Sequence, residues 1–381
     1  MDFQQLFQHY KEPKLFGRYI TLEKILPLID KLKSVFEVTD IGRSISGENL
    51  YLCKVGTGKT KMLLWSQMHG NEGTTTKALF DLFNLLSDES DLSKKLLGHF
   101  TFYAVPMLNP DGAKRYTREN ANGVDLNRDF FNLSQPESQS LFKLFTEIKP
   151  DYCFNLHDQR TIYGVGYSGR PATVSFLAPS YNEACEINQS RAKAIDVIAE
   201  INKSLQQLIP GQVGRFDDSF NINCAGDTFQ LGGTPTILFE AGHFPGDYER
   251  EVTRKYIFTA LLSSLIYISE NDIVGNRIEE YLNIPQNSVS FHDIVYKNVK
   301  INYDGIEKIT NFAAQYQEVL NGGEIDFEAV IADVGLNKVF GHLEVDAQQQ
   351  LYRDGKRNIP ELEQKADFYI GSTKFVNGLK V

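Results

Sequence analysis

The fold is decided by a stretch that reads Lys61-Met62-Leu63-Leu64-Trp65-Ser66-Gln67-Met68 and continues as His69-Gly70-Asn71-Glu72. Its first eight residues form an apolar run short enough for a buried strand. Residues 73–86 then carry apolar side chains at helical spacing, with threonines available as caps. His69 and Glu72 are therefore predicted on one side of a strand-to-helix turn. An imidazole and a carboxylate suit zinc, but two polar loop residues would look the same in the sequence.

Similar short apolar runs recur along the first 280 residues and alternate with helical patterns. They lie at 100–106, 151–156, 174–178 and 234–240. Strands that alternate with helices predict the α/β class, here a doubly wound, mostly parallel (mixed) sheet with helices on both faces. In such sheets, functional sites gather at the carboxyl ends of the strands.

The pattern changes near Pro285. Residues 289–296 and 299–303 alternate apolar and polar side chains with period two, which is typical of half-buried strands. We therefore predict a catalytic domain at residues 1–286 and a small β-rich appended domain, with room for one helix, at residues 287–381. The first domain is assigned the chemistry because every candidate site residue precedes the boundary.

The composition bounds the class of partner. The chain has 381 residues, 42% of them hydrophobic, and a formal net charge of −10. This charge argues against a general nucleic-acid or anionic-membrane partner. The four cysteines are scattered without a Cys-x-x-Cys pair, and no apolar run approaches the roughly 20 residues of a membrane span. We expect a cytoplasmic protein, and the sequence does not predict its oligomeric state.

Two further strand ends supply the rest of a candidate site. His157 ends the run at 151–156, and together with His69 and Glu72 it makes a set of two histidines and one glutamate. Three protein ligands leave one coordination position open, which is the pattern of a catalytic rather than a structural zinc site. Glu240 ends the run at 234–240, where a buried carboxylate is unfavourable unless it is paired or functional. We predict that Glu240 is a general base, the alternative being a salt-bridged carboxylate at the mouth of the sheet.

Cationic side chains are concentrated between the two metal-bearing strands. Arg118 and Arg128 follow the loop Asn109-Pro110-Asp111-Gly112. A guanidinium group can bind a carboxylate or stabilise a developing oxyanion. Taken singly, each arginine would be interpreted as a solvated surface charge.

The motifs in this order resemble those of the zinc carboxypeptidase family, the relatives of carboxypeptidase A, over about residues 45–270. The quoted motifs are His69-Gly70-Asn71-Glu72, Asn109-Pro110-Asp111-Gly112, Gly123-Val124-Asp125-Leu126-Asn127-Arg128, the strand-end His157 and Phe239-Glu240-Ala241-Gly242. A zinc site of two histidines and one glutamate is established for carboxypeptidase A. The resemblance implies zinc ligands His69, Glu72 and His157, general base Glu240, carbonyl-polarising Arg118, carboxylate-binding Asn127 and Arg128, and Asp125 as the partner of a zinc-bound imidazole.

One departure from the family pattern concerns a substrate contact, and a second position bears on side-chain preference. Phe220 stands near the position of the family's mobile capping tyrosine, so a contact through a hydroxyl group is in doubt. Gly226 lies near the position that sets side-chain preference in the family, and its neighbour Asp227 would favour a basic group.

The resemblance implies a zinc-dependent metallocarboxypeptidase that hydrolyses the C-terminal amide bond of a peptide or peptide-like substrate. The alternative is a zinc-dependent deacylase of N-acyl amino acids, similar to the aspartoacylase and succinylglutamate desuccinylase branch, which uses the same zinc ligands. The Asn109-Pro110-Asp111-Gly112 loop and the appended domain favour the peptidase. A non-catalytic peptide-binding relative is a further alternative, against which the complete set of catalytic residues argues.

Overall fold

The structure is a computed structural model, and it describes residues 2–303, 305–336, 339–355 and 357–381. Its helices are α1 Phe3–Tyr10, α2 Leu22–Leu32, α3 Thr74–Leu86, α4 Asp91–His99, α5 Pro110–Arg115, α6 Pro136–Ile148, α7 Gln189–Gln206, α8 Ala225–Leu231, α9 Glu251–Glu270 and α10 Ile278–Leu282. Its strands are β1 Glu37–Arg43, β2 Asn49–Val55, β3 Thr60–Ser66, β4 Phe100–Val105, β5 Tyr152–Asp158, β6 Tyr163–Val165, β7 Val174–Leu177, β8 Val213–Arg215, β9 Thr236–Ala241, β10 Asn287–Val289, β11 Phe291–Tyr303, β12 Ile306–Asn321, β13 Glu324–Val334, β14 Phe340–Asp346, β15 Tyr352–Arg353, β16 Phe368–Ile370, β17 Thr373–Val376 and β18 Leu379–Lys380.

The chain forms two compact units. The first contains residues 1–159 and 172–287, and the second contains residues 160–171 and 288–381. The boundary predicted from the sequence lies at 286/287, and the second unit resumes at residue 288. The sequence does not predict that residues 160–171 belong to the second unit.

The first unit is built on a mixed sheet of eight strands in the order β1-β2-β4-β3-β5-β9-β7-β8. Its centre, β4-β3-β5-β9, is parallel, while β1, β2 and β7 join it by antiparallel pairing. Alternate residues of the central strands face two separate apolar cores. Met62 and Phe154 belong to the core that α3, α7 and α9 share, and Leu63 and Cys153 belong to the core on the side of α6 and α8. Helices therefore cover both faces, and the predicted fold class is confirmed.

The second unit is rich in strands. A four-stranded sheet has the order β13-β12-β11-β14, a smaller one has the order β15-β16-β17-β18, and β10 pairs with β6. Its own apolar core includes Tyr296, Phe312 and Phe368, whose rings pack on one another. No helix lies among the described residues of 287–381.

Each unit has its own core. We therefore expect the first unit to fold alone if both parts of the second unit, residues 160–171 and 288–381, are removed. The Gln159 side chain donates to the Ala172 carbonyl at 2.7 Å, so a short Gly-Ser linker spans the excised residues 160–171. A chain of 1–159, linker and 172–287 should unfold cooperatively and bind zinc, as measured by thermal unfolding and metal analysis. A chain that ends at Asn287 but keeps residues 160–171 is the control. This control chain should be less stable than the linker variant, because it keeps β6 but lacks most of β10, the strand with which β6 pairs. An insoluble or zinc-free linker variant would contradict the expectation.

Candidate active site

Three neighbouring parallel strands bring the predicted site residues to one edge of the sheet. His69 follows the end of β3 by three residues, while His157 and Glu240 lie near the ends of β5 and β9. The strands β3, β5 and β9 are adjacent, and His157 is in register with Glu240. Parallel strands end at the same edge, which is why residues distant in sequence meet here.

His69, Glu72 and His157 form a buried cluster of potential metal ligands. One donor atom from each lies within 4.8 Å of the others. The Nδ1 atom of His69 is 2.8 Å from Glu72 Oε1, and the Nδ1 atom of His157 is 2.8 Å from Glu72 Oε2. The two Nδ1 atoms are themselves 3.1 Å apart. Two imidazole nitrogens and a carboxylate that converge on one point fit a divalent zinc ion.

The electrostatics of the cluster keep Glu72 ionised. Burial raises the pKa of Glu72, but the charges of His69 and His157 outweigh burial and hold that pKa well below its usual range. Burial likewise lowers the pKa of His69, while Glu72 and Asp125 raise it above its ordinary value. The carboxylate is therefore in the state that a metal ligand requires.

A close packing of loops explains the residues around His69. A Cβ atom at Gly70 would lie 2.0 Å from the carbonyl carbon of Gly112, so only glycine fits beside the start of α5. Asn109 donates to the Met68 carbonyl at 3.2 Å and also caps α5 by accepting from the Gly112 N–H. Gln67, in the left-handed region at φ 51°, donates to the Gly70 carbonyl at 2.8 Å. These contacts hold His69 in place.

Asp158 is a site residue that the sequence reasoning missed. Its backbone N–H donates to Glu72 Oε2 at 3.0 Å. Its side chain accepts from the N–H groups of Thr74 at 3.0 Å and Thr75 at 3.3 Å, at the start of α3, where Gly73 provides no side-chain cap. Asp158 thereby ties Glu72 and its helix to the strand that carries His157. The available sequence signal was a carboxylate directly after a strand-end histidine.

Asp125 and Arg118 lie on the other side of His69. Asp125 Oδ1 is 2.9 Å from His69 Nε2, which orients the imidazole so that Nδ1 faces the cluster. Asp125 Oδ2 accepts from Arg118 Nε at 2.9 Å, and Arg118 Nη1 donates to Glu72 Oε1 at 3.3 Å. Although burial raises the pKa of Asp125, His69 and Arg118 hold it well below its usual range. The Arg118 guanidinium group therefore lies beside the potential metal ligands.

Asn127 and Arg128 come together with the start of α8. Asn127 Oδ1 accepts from the Ala225 N–H at 3.0 Å, which leaves the Nδ2 donor on the opposite branch of the amide. Arg128 Nη1 donates to the Asn127 carbonyl at 2.8 Å and to Cys224 Sγ at 3.1 Å. These two side chains present donors suited to a carboxylate.

Glu240 is a buried carboxyl group next to this cluster. Burial raises its pKa well above the usual range, and the charges of Glu72 and Asp158 raise it further. Arg118 and Arg250 act in the opposite direction. A buried carboxyl group with a raised pKa beside potential metal ligands is suited to accepting and returning a proton.

Phe220 and Asp227 have a weaker geometric connection with the cluster. Phe220 is half-buried in the segment between β8 and α8, and none of the described contacts links it to the metal ligands. Asp227 is buried in α8, accepts from the Asn221 N–H at 3.3 Å, and has a pKa that burial raises to about 6.

A mixed sheet covered by helices on both faces, with two histidines and a glutamate grouped beside its strand ends and a buried carboxyl group next to them, is typical of metal-dependent hydrolases. The chain belongs to the zinc carboxypeptidase family, whose sequence model matches residues 25–226. The match includes the three candidate metal ligands. Glu240 lies beyond the matched residues.

Several proteins are similar to the chain. Carboxypeptidase SOL1 of Arabidopsis thaliana is 26% identical over 168 residues, which cover 39% of this chain and 34% of that protein. A metallo-carboxypeptidase from Burkholderia cenocepacia has the same fold, with a TM-score of 0.52 and 18% identity over 66% of this chain and 69% of the other. A metallo-carboxypeptidase from Pseudomonas aeruginosa has a TM-score of 0.52 at 17% identity, covering 69% and 70%. The chain thus spans about a third of the length of the Arabidopsis relative.

Proposed function

We propose that the protein is a zinc-dependent metallocarboxypeptidase that removes the C-terminal residue of a peptide. The observation that carries the proposal is the convergence of His69, Glu72 and His157, with donor atoms within 4.8 Å of one another, beside the buried carboxyl group of Glu240. Membership of the zinc carboxypeptidase family supports both the metal and the reaction.

Zinc, when bound, supplies Lewis acidity towards water and the scissile carbonyl group. His69, Glu72 and His157 would hold it, and Asp125 would fix the imidazole of His69 through Nε2. Glu240 would take a proton from the attacking water and deliver it to the amine nitrogen that leaves. Arg118 would stabilise the negative charge that develops on the carbonyl oxygen.

The substrate's terminal carboxylate would bind Asn127 and Arg128. The hydrogen bond from the Ala225 N–H to Asn127 Oδ1 orients the amide so that Nδ2 can donate to that carboxylate. The contact of Arg128 with the Asn127 carbonyl keeps the guanidinium next to the amide. Phe220 would contact the bound peptide through its ring only. Asp227 would favour a basic side chain on the substrate.

Amidation of a peptide's C-terminus should remove most of its reactivity, because it removes the charge that Arg128 pairs with. A charge-assisted hydrogen bond to a carboxylate contributes about 1.5–3 kcal/mol, so we expect kcat/KM to fall by at least about tenfold. Arg128→Ala should produce a similar loss on the free acid and little further loss on the amide. Arg160→Ala, which changes an exposed arginine, is the matched control. Equal cleavage of amidated and free peptides would contradict an exopeptidase.

The match to the zinc carboxypeptidase family does not favour a deacylase of N-acyl amino acids. Assays of N-acetyl and N-succinyl amino acids beside blocked dipeptides would separate the two reactions. Faster hydrolysis of the simple acyl compounds would contradict the peptidase.

A cytoplasmic location is part of the same proposal. Cys53, Cys153, Cys185 and Cys224 are free thiols, which suits a reducing compartment. No helix in the described part of the chain is long and apolar enough to cross a membrane. Cell fractionation with an antibody against the native protein tests the location, and recovery outside the cytoplasmic fraction would contradict it.

A further inference from the structure

Arg250 is a buried arginine whose side chain joins two strand ends of the candidate active site. It lies at the N-terminus of α9 and is 1% exposed. Its Nη1 atom donates to the Ala241 carbonyl at the end of β9. Its Nη2 atom donates at 2.6 Å to the carbonyl of Gln159, which directly follows β5. Burial of a charged group is unfavourable unless its donors are bonded, so these two carbonyl groups offset the lost hydration of the guanidinium group.

The Gln159 carbonyl needs this donor because β9 leaves β5 at this point. The Gln159 N–H donates to the Ala241 carbonyl at 2.8 Å, which extends the pairing of the two strands by one residue. The next N–H of that segment, from Gly242, donates to the Thr173 carbonyl at 2.9 Å instead. Buried backbone carbonyl groups in native proteins almost always have a donor. Arg250 therefore supplies the bond that β9 no longer gives to Gln159.

The two bridged carbonyl groups lie next to residues of the proposed mechanism. Gln159 is two residues after His157, and Ala241 directly follows Glu240. His157 and Glu240 are in register on adjacent strands. The guanidinium group therefore holds together the segments that carry a potential metal ligand and the candidate base. A general base must lie within about 2.6–3.2 Å of the proton acceptor's partner atom, so a small shift between these segments would matter.

The turn before α9 fixes Arg250 itself. Its backbone has a φ of 55°, in the left-handed region that residues other than glycine rarely adopt. Its N–H donates to the Asp247 carbonyl at 3.0 Å. The Asp247 carboxylate accepts from the N–H groups of Glu251, Val252 and Thr253 at 2.8–2.9 Å and so caps the helix. The helix start is thus anchored, and it presents the guanidinium group to the strand ends.

We propose that Arg250 is a positioning residue, which places Glu240 for proton transfer by holding the ends of β5 and β9 together. It acts on Glu240 through the backbone of Ala241 and Gln159. The inference rests on the proposed carboxypeptidase function and adds a residue to the same site, outside the residues 25–226 that the family model matches.

The charge of Arg250 has a separate effect on two buried carboxyl groups, those of Asp158 and Glu240. Burial raises the pKa of both groups, and the positive charge of Arg250 acts in the opposite direction. A lysine in place of Arg250 keeps the charge but lacks the planar fork that bonds two carbonyl groups at once. Arg250→Lys therefore separates the geometry of the side chain from its charge.

The test measures kcat and KM of the full chain, loaded with zinc, on a blocked dipeptide with a free C-terminus. Arg250→Lys should lower kcat per bound zinc ion at least about tenfold and leave KM within about twofold of the wild-type value, because a displaced base slows the chemical step and not binding. Zinc content should not change. Arg250→Met, which lacks both fork and charge, should lower kcat at least as much.

A double-mutant cycle shows whether the loss passes through Glu240. In Glu240→Gln the base is already absent, so adding Arg250→Lys should lower the residual kcat by less than about twofold. Two losses that multiply would assign Arg250 a general structural role and overturn the inference.

Arg254→Lys is the matched control. Arg254 is fully buried one turn later on α9, and it donates to the Glu12 and Leu15 carbonyls at 2.9 and 2.6 Å. Its replacement should lower the midpoint of thermal unfolding, because buried hydrogen bonds are lost, but leave kcat per bound zinc unchanged. A fall in kcat equal to that of Arg250→Lys would show only a general loosening of the helix and would overturn the inference.

The inference and the proposed function can fail separately. Wild-type kcat in both Arg250 variants, with Glu240→Gln inactive, would overturn the positioning role and leave the proposed reaction intact. Near-normal turnover of Glu240→Gln would contradict the general base of the proposed function, and the inference with it.

Discussion

Replacement of His69 by alanine is expected to remove zinc and hydrolytic activity together. His69 brings Nδ1 to 2.8 Å from Glu72 Oε1 and 3.1 Å from His157 Nδ1, so its loss leaves two of three donors. Even the outer partners of metal ligands contribute about 10- to 100-fold to metal affinity, and we expect a larger effect for a ligand itself. Metal analysis after dialysis against a weak chelator measures the loss, and peptide hydrolysis is followed in the same samples.

His9→Ala is the matched control, because His9 is an exposed histidine on α1. It should retain one zinc per chain and the wild-type rate. Circular dichroism of the His69 variant checks that the fold persists, which we expect because His69 lies outside the strands of the sheet. Stoichiometric zinc in a folded His69→Ala enzyme would remove His69 from the ligand set.

Replacement of Glu240 by glutamine should abolish most of the turnover and spare the metal. Glutamine keeps the shape of the side chain but cannot accept the proton, so kcat should fall by at least about 10²-fold, the low end for general acid–base catalysis. Glu240 does not belong to the metal-binding cluster, and zinc content should therefore stay at the wild-type value. Steady-state kinetics on a blocked dipeptide, together with metal analysis, measures both quantities.

The control for Glu240 is Glu37→Gln on β1, at the edge of the sheet and outside the site. It removes a strand carboxylate and should change neither kcat nor zinc. Near-normal turnover of Glu240→Gln would require a different general base. Loss of zinc in Glu240→Gln, with zinc retained in Glu37→Gln, would instead indicate that Glu240 is a metal ligand.

The sequence allowed much of the site to be predicted because its signals are local. An apolar run followed by His69-Gly70-Asn71-Glu72 predicts a strand end with two potential ligands, whatever the rest of the chain does. The apolar runs before His157 and Glu240 have the same form. The rule that parallel strands end at one edge of a sheet then joins residues that are more than 80 positions apart.

The contacts that depend on packing could not be predicted in this way. Asp158 caps α3 from a strand 84 positions away in sequence, and only the adjacency of β5 and α3 creates that hydrogen bond. None of the contacts among the described residues joins Phe220 to the potential metal ligands, and its contact with the substrate stays a prediction. Residues 160–171 look like an ordinary connection, yet β6 pairs with β10 more than 100 residues later.

By itself, the sequence determined the class of the fold and predicted the ligand pattern and the candidate base, because each depends on the spacing of residues along one strand or one turn. Only the tertiary structure decided which neighbours complete the site. The orientation of Asn127 by Ala225 and the close approach of Gly226 to Asn155 arise where α8 packs on the sheet. Such contacts depend on distances between separate elements, and those distances are set by the packing of the whole core rather than by any local pattern.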